Sequence, residues 1–264
     1  MRAQSEINLA AGRIVILVAS LLVFGFATLT SGWAGELIQT SMLKAVEATQ
    51  AAAADDENVY AISSTGIAKY DRKTGSRIST STGPARHLNS GFLREGRLYC
   101  AHSNYPAKPE KSEVMVLDTN SMALTVFKDF GEYRGSLTWV VHEGREWWCT
   151  FAHYGKENAK TVLVKLDENW KELGAWTYPP EVVAKMGNYS ISGGVWRNSF
   201  LLVTGHDERL VFKLRVPAEG NVLEYVENLR SPFPGQGIAN DPKTGGLVGI
   251  NRDQGAVVFA EFKE

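Results

Sequence analysis

The sequence has few of the residues and patterns that would point directly to a reaction. Only two of its 264 residues are cysteine, and only five are histidine. It contains no Gly-x-Ser-x-Gly nucleophile motif, no His-Glu-x-x-His metal motif and no P-loop. Long amphipathic helical patterns are also missing, which argues against a helical bundle and favours an all-β chain.

An excess of charge of either sign is lacking as well. Residues 1–34 contain two Arg and one Glu, so the rest of the chain has 26 basic and 28 acidic residues. No basic stripe or arginine run interrupts this balance, and the sequence therefore predicts no nucleic-acid partner. We expect the two cysteines, Cys100 and Cys149, to be buried free thiols, although a disulfide stays open for an exported protein.

The first 34 residues are set apart by one uncharged apolar run at residues 14–30, which follows Arg2 and Arg13. This pattern is typical of an export signal. The length of the run is compatible with cleavage near Ala34 and also with a retained membrane anchor. In either case we expect the protein to be exported, periplasmic or extracellular, with membrane contact only through an uncleaved N-terminal segment.

A repeat of about 48 residues dominates the rest of the chain. Alternating apolar segments end near five matching positions, which are Tyr70, Leu117, Leu166, Leu214 and Phe262. A constant period of this length is typical of a β-propeller, in which each repeat forms one four-stranded blade. The sequence therefore predicts an all-β domain over residues 58–264, a five-bladed β-propeller. A β-sandwich would not repeat at this spacing.

The two ends of the repeat array are less regular than its middle. The first repeat shows no innermost strand and the fifth shows no outermost strand, so the closure of the ring is not visible in the sequence. Residues 48–57 could supply the missing innermost strand, but this alanine-rich stretch is a poor strand former. We therefore interpret residues 35–57 as a stalk or linker that precedes the propeller.

Most of the histidines are expected at one face of the propeller. In antiparallel blades, the connections before the innermost strands and those after the second strands open on the same side. Four histidines fall in these connections, namely His87, His102, His153 and His206, whereas His142 falls in a turn on the other side. Imidazoles there could act as metal ligands or as acid and base, or they could simply bond to backbone groups at strand ends.

We assign two roles to the residues of this face. His102, His153 and His206 are expected to hold a divalent metal ion or to share acid–base catalysis. The residues expected to bind and position a small-molecule substrate are His87, Asn89, Asn104, Gln236 and Arg252. His87 and Asn89 flank one residue, so both side chains point to the same side of an extended strand.

Several segments of this face resemble one protein family. They are His87–Gly91, Ala101–Pro106, Ser192–Gly194, Val203–Asp207 and Gly235–Ala239. Together they are similar to a family of exported bacterial β-propeller proteins without an established activity, some of which carry the label cycloisomerase. The resemblance spans residues 58–262, and it implies the fold and a shared ligand-binding face more than a particular reaction.

Two functions follow as hypotheses. The leading one is an exported propeller enzyme that acts on a small polar metabolite by lyase, isomerase or cyclase chemistry at a His-rich axial pocket. The alternative is a non-catalytic propeller that binds a ligand or another protein. No carboxylate–histidine pair is visible in the sequence to decide between them.

Overall fold

Nearly all of the regular secondary structure within residues 35–263 is β-strand. The computed structural model describes this range, and the predicted signal or anchor at residues 1–34 lies outside the described residues. Within the range, no helix is both long and apolar enough to cross a membrane. The helical elements described are a 3₁₀ helix at Gly155–Lys160 and a single α-helical turn, α1, at Pro180–Val183.

After the first strand, β1 (Gly35–Lys44), three four-stranded antiparallel sheets follow one another along the chain. The first contains β2 (Ala51–Ala54), β3 (Asn58–Ile62), β4 (Ile67–Asp71) and β5 (Arg77–Thr80). The second contains β6 (Leu88–Arg94), β7 (Arg97–Ser103), β8 (Ser112–Asp118) and β9 (Leu124–Gly131). The third contains β10 (Ser136–Glu143), β11 (Glu146–Ala152), β12 (Val162–Leu166) and β13 (Glu172–Thr177). In each sheet the spatial order of the strands is their order in the sequence.

The fourth sheet has eight strands and joins the two ends of the described chain. Its remaining strands are β14 (Gly193–Arg197), β15 (Phe200–Thr204), β16 (Leu210–Arg215), β17 (Glu224–Arg230), β18 (Ala239–Asn240), β19 (Leu247–Asn251) and β20 (Ala256–Phe262). The order is β14-β15-β16-β17-β1-β20-β19-β18. Strand β1 runs antiparallel to β20 along almost its whole length, but it pairs in parallel with β17 only at Gly35 and Glu36. The sheet therefore consists of two four-stranded halves that meet along a short parallel contact.

The positions that define the sequence repeat all lie in the third strand of a four-stranded unit. Tyr70, Leu117, Leu166 and Leu214 each pair with the second residue of the preceding strand. Phe262 lies two residues beyond the last pair of β19 with β20, and it pairs with β1 instead. The repeat predicted from the sequence is thus present, with its last member shifted along the strand.

The interpretation of residues 35–57 as a stalk or linker is wrong. Residues 35–44 form β1, which covers β20, and Ala51–Ala54 forms β2, the innermost strand of the first sheet. All four alanines are buried. Alanine is a poor strand former in general, but here all four side chains are packed in the core, and packing outweighs propensity.

Small residues also close the centre where the inner strands begin. A Cβ atom added to Gly237 would lie 2.5 Å from the Ala51 Cβ and 2.9 Å from the Ser90 Cβ. Neither contact is tolerable, so only glycine fits at this position. The inner strands therefore approach one another at van der Waals distance at this level.

Cys100 and Cys149 are both free and buried, as the sequence predicted. They lie in β7 and β11, the second strands of neighbouring sheets. Burial raises the pKa of both thiols, so they remain protonated and act as small apolar side chains in the core.

Candidate functional site

The topology places four histidines at one edge of the sheets. The inner strands begin at this edge, which we call the top face, and end at the opposite edge, the bottom face. His87 directly precedes β6, and His102 lies near the end of β7. His153 and His206 follow the ends of β11 and β15. His142 lies near the end of β10 and therefore at the bottom face.

His102 uses both ring nitrogens to hold the surrounding chain. Its Nδ1 lies 2.9 Å from Oε2 of Glu113, and its Nε2 accepts the backbone N–H of Arg86 at 3.0 Å. The acceptor role of Nε2 places the proton on Nδ1, which donates to Glu113. Burial is the main cause that lowers the pKa of His102, and the attraction of Glu113 only partly opposes it. His102 is therefore a neutral, positioning histidine with no free nitrogen for a metal or a substrate.

A cleft of about 400 Å³ lies beside His102. Arg86, Lys108 and Lys111 give its walls positive charge, which Glu113 partly offsets, and Asn104 is also part of its lining. The Asn104 side chain donates to the Pro109 carbonyl at 2.9 Å and accepts the Lys111 N–H at 2.8 Å. Asn104 thus shapes the loop that carries the two lysines, which differs from the substrate contact predicted for it.

Asn89 and His153 also bond to the backbone of their own protein. Asn89 is buried, and its Nδ2 donates to the carbonyl of Leu137 in the next sheet at 3.3 Å. The Nε2 of His153 donates to the carbonyl of Arg134 at 2.9 Å. Both side chains join neighbouring segments at the top face, and the nitrogen that each uses is not free for a substrate.

His87 belongs to an aromatic group at the top face. Its ring centroid lies 5.2 Å from that of Tyr105, which in turn lies 4.9 Å from that of Tyr154. Burial lowers the pKa of His87, and the nearby His102 lowers it further. A neutral His87 beside exposed Tyr105 offers a surface on which a planar group can stack.

His206 forms the most convergent group of the predicted site. Its ring stacks on the ring of Tyr189 with centroids 3.6 Å apart and an interplanar angle of 8°. Its Nδ1 lies 2.8 Å from Oδ1 of Asp207, and the guanidinium nitrogens of Arg252 lie 3.5 Å from the two ring nitrogens. Arg252 also donates to Asp207 at 2.7 Å. We call these four residues the His206 cluster.

Gln236 supports the His206 cluster through its backbone. It is buried, with a φ of 63°, and its N–H donates to the Gly205 carbonyl at 2.8 Å. Its carbonyl accepts the hydroxyl of Thr204 at 2.5 Å. A Cβ atom on the preceding Gly235 would lie 2.5 Å from the His206 carbonyl carbon, so this loop packs directly on the backbone that carries His206.

The predicted metal site is not formed. Within residues 35–263, no three His, Cys, Asp or Glu side chains are arranged to hold a metal ion. His102, His153 and His206 belong to three different sheets, and each is held by a different partner. Matching positions of different blades share a face, but they need not lie close enough to share an ion.

The described axial cavity lies at the bottom face rather than among the four histidines. It has a volume of about 240 Å³ and is lined by residues near the ends of β2, β6, β10, β14 and β18, together with Pro242. His142 and Glu143 form part of its wall. The loop position of His142 predicted this face, but no role was assigned to the residue. The position of the cavity depends on how closely the inner strands approach one another along their length, which the sequence does not show.

Comparison with solved structures shows which fold this is. A glutaminyl cyclase from Myxococcus xanthus is similar with a TM-score of 0.61 and 10% sequence identity, over 87% of this chain and 97% of that chain. The chain has a β-propeller fold. The Cps50 (Swd1) β-propeller domain of Myceliophteria thermophila has a TM-score of 0.48 and 10% identity, over 85% of this chain and 99% of that one. No protein-family model and no curated protein matches the sequence.

Two residues of the His206 cluster in the propeller were not predicted. Asp207 follows His206 directly in the sequence, and a carboxylate next to a histidine at a strand end is a signal that could have found it. Tyr189 precedes His206 by a whole hairpin. Its stacking depends on the fold of the loop after α1, which no local pattern reveals.

Proposed function

We propose that this protein is a five-bladed propeller enzyme that acts on a small polar metabolite. The blade count follows if the eight-stranded sheet is divided at its short parallel contact between β1 and β17. Each half then has four strands, and β1 becomes the outermost strand of the fifth blade. The two ends of the domain would then close the ring within a single blade.

The reaction centre that we propose is the His206 cluster. The observation that carries the proposal is the 2.8 Å contact between Asp207 Oδ1 and His206 Nδ1, with Arg252 beside both residues. A carboxylate that accepts the Nδ1 proton fixes the tautomer in which Nε2 holds the lone pair. Arg252 Nη1 lies 3.5 Å from that nitrogen, at the limit of a hydrogen bond, and would turn to the substrate on binding. Nε2 of His206 would then act as the general base and, once protonated, as the general acid.

The electrostatics of the cluster suit a base that works near neutral pH. Burial lowers the pKa of His206, the hydrogen bond with Asp207 partly opposes this effect, and Arg252 adds to the lowering. A neutral imidazole can take a proton from a substrate without first losing one of its own. Arg252 would bind a substrate carboxylate or stabilise a developing oxyanion.

Lyase, isomerase and cyclase reactions share a step that such a cluster can perform, because each moves a proton away from one substrate atom and onto another. The shared fold with a glutaminyl cyclase makes cyclisation the first reaction to test. Cyclising a glutaminyl residue joins its α-amine to its side-chain carbonyl carbon and expels ammonia. The amine must lose a proton and the leaving nitrogen must gain one, and His206 would carry it between them.

The test measures ammonia released from N-terminal glutaminyl dipeptides by the purified protein. We expect His206→Asn and Asp207→Asn each to lower kcat/KM by about 100-fold or more. His153→Asn, a substitution at the same face, should leave kcat/KM nearly unchanged. If the dipeptides are not converted, a panel of hydroxy acids and lactones is tested by mass spectrometry. Turnover that survives both substitutions, or no turnover in either panel, would overturn the proposed enzyme.

A specific observation favours a second candidate, a propeller that binds a ligand without converting it. Asn89, His102, Asn104 and His153 already bond to their own backbone and stiffen the loops of the top face. The cationic cleft beside His102 would then bind an anionic ligand. Calorimetric binding of a small dicarboxylate that persists in His206→Asn, with no turnover by the wild-type protein, would favour this candidate.

We also propose that the protein is exported, on the basis of the uncharged apolar run at residues 14–30. N-terminal sequencing of the native protein tests this. A sequence that begins near Gly35 in the periplasm or medium indicates a cleaved signal, whereas Met1 in a detergent extract indicates an anchor. A native protein confined to the cytoplasm would contradict export.

A further inference from the structure

The axial cavity at the bottom face has the form of a small-molecule site. Ala53, Phe92, Val195, Trp196 and Ala239 give it mainly apolar walls. Because β2, β6, β10, β14 and β18 all contribute to it, the cavity is lined mainly by strand residues. Apolar walls with a few polar groups at fixed positions are the usual composition of a ligand pocket.

The polar groups of the cavity are not equivalent. His142 contacts the Arg94 guanidinium through Nδ1, and since arginine only donates, this nitrogen must hold a lone pair. The imidazole is therefore neutral. Asn240 donates its Nδ2 proton to the Trp196 carbonyl at 3.2 Å. Neither side chain presents a net charge to the cavity.

Unlike His142 and Asn240, Glu143 at the rim of the cavity has a carboxylate side chain. Within the described range, its carboxylate takes part in no ion pair and no hydrogen bond, whereas nearby acidic residues are paired: Glu95 with Arg94, Glu146 with Lys165 and Glu168 with Arg145. The lining thus combines apolar walls with one unpaired negative charge.

From this combination we infer that the bottom-face cavity binds a small primary amine with a compact apolar body. The apolar part would lie against Phe92 and Trp196, and the ammonium group would meet Glu143 at the rim. A cavity of about 240 Å³ suits a small amine with one aromatic ring. A carboxylate ligand of the same shape would be repelled.

The test titrates the purified full-length protein with phenethylamine, 2-phenylethanol and 3-phenylpropionate, which share an apolar body but differ in charge. Binding is measured by calorimetry and located by NMR shifts of the Ala53 and Ala239 amides. We expect phenethylamine to bind about threefold to fivefold more tightly than the neutral alcohol, because Glu143 is exposed and an exposed ion pair contributes about that much. The carboxylate should show no measurable binding.

Two matched substitutions isolate the role of the carboxylate. Glu143→Gln should weaken phenethylamine binding about threefold to fivefold and leave 2-phenylethanol binding unchanged, whereas Glu132→Gln, at an exposed site before β10 at the top face, should change neither. Equal binding of amine and alcohol, an unaffected Glu143→Gln variant, or amide shifts elsewhere would overturn the inference. The His206→Asn variant should bind phenethylamine normally. Absence of turnover at the top face and absence of amine binding at the bottom face are therefore separate outcomes.

Discussion

At the residue scale, buried hydroxyl groups of this propeller differ in how they are used. Ser112 is fully buried, and its Oγ donates to the Gly135 carbonyl at 2.8 Å and accepts the Leu137 N–H at 2.9 Å. Ser90 is also buried, but among the described residues its Oγ has no hydrogen-bond partner. The two serines are therefore a matched pair that separates the effect of a hydrogen bond from that of burial.

We expect Ser112→Ala to lower the free energy of unfolding by about 1–3 kcal/mol, because two buried backbone groups lose their partner. Ser90→Ala should leave the free energy unchanged or raise it, since the substitution removes a buried polar atom without breaking a bond. Urea unfolding followed by circular dichroism measures both. Equal losses in the two variants would contradict this account.

The sequence predicted the location of the polar residues better than their roles. Alternation and loop position correctly put His102 and Asn104 at one edge, because both follow from the strand pattern. Whether a ring nitrogen is free depends on groups that arrive from elsewhere in the chain. The N–H of Arg86 occupies Nε2 of His102, and nothing in the local sequence around His102 indicates that contact.

At the element scale, β1 is the strand that sequence patterns could not identify. Only Leu37 and Leu43 of its ten residues are buried, so it shows no regular alternation. The strands in the middle of the chain are easier to identify from the sequence. For example, β11 (Glu146–Ala152) pairs with β12 at Leu166, one of the five repeat positions, and each of these strands is buried in a repeated environment. End strands lack that repetition.

The contribution of β1 can be measured with two neighbouring residues. Leu37 is 3% exposed and packs in the core shared by β14–β20, whereas Ile38 is 45% exposed. We expect Leu37→Ala to lower the free energy of unfolding by about 2–5 kcal/mol, through lost burial and the cavity left behind. Ile38→Ala should cost no more than about 1 kcal/mol. Similar small effects at both sites in guanidinium unfolding would mean that β1 is not part of the core.

At the scale of the whole molecule, the histidines make stability depend on pH. Burial is the largest cause that lowers the pKa values of His87, His102, His142 and His206 in the folded protein. Once the pH falls below the unfolded-state value near 6.5, the unfolded chain binds protons that the folded chain does not. The stability present above that pH is therefore lost as the pH falls.

We expect the urea midpoint of unfolding to fall between pH 7.5 and pH 5.5, before most carboxylates titrate. His102→Gln should reduce this fall, because it removes one of the groups with a lowered pKa. Measurements at pH 7.5, 6.5 and 5.5 in the same buffer mixture test the prediction. A midpoint that rises toward pH 5.5 would contradict it.

The pairing of β1 with β20 also determines when the molecule can be completed. Residues 35–44 leave the ribosome before every other described strand, and residues 256–262 leave it last. Strand β1 therefore lacks its main partner, β20, until the rest of the described chain has been synthesised. Such distant pairing is slow to form. The eight-stranded sheet can therefore be completed only after residues 256–262 have been synthesised, so its formation follows that of the three four-stranded sheets encoded before it.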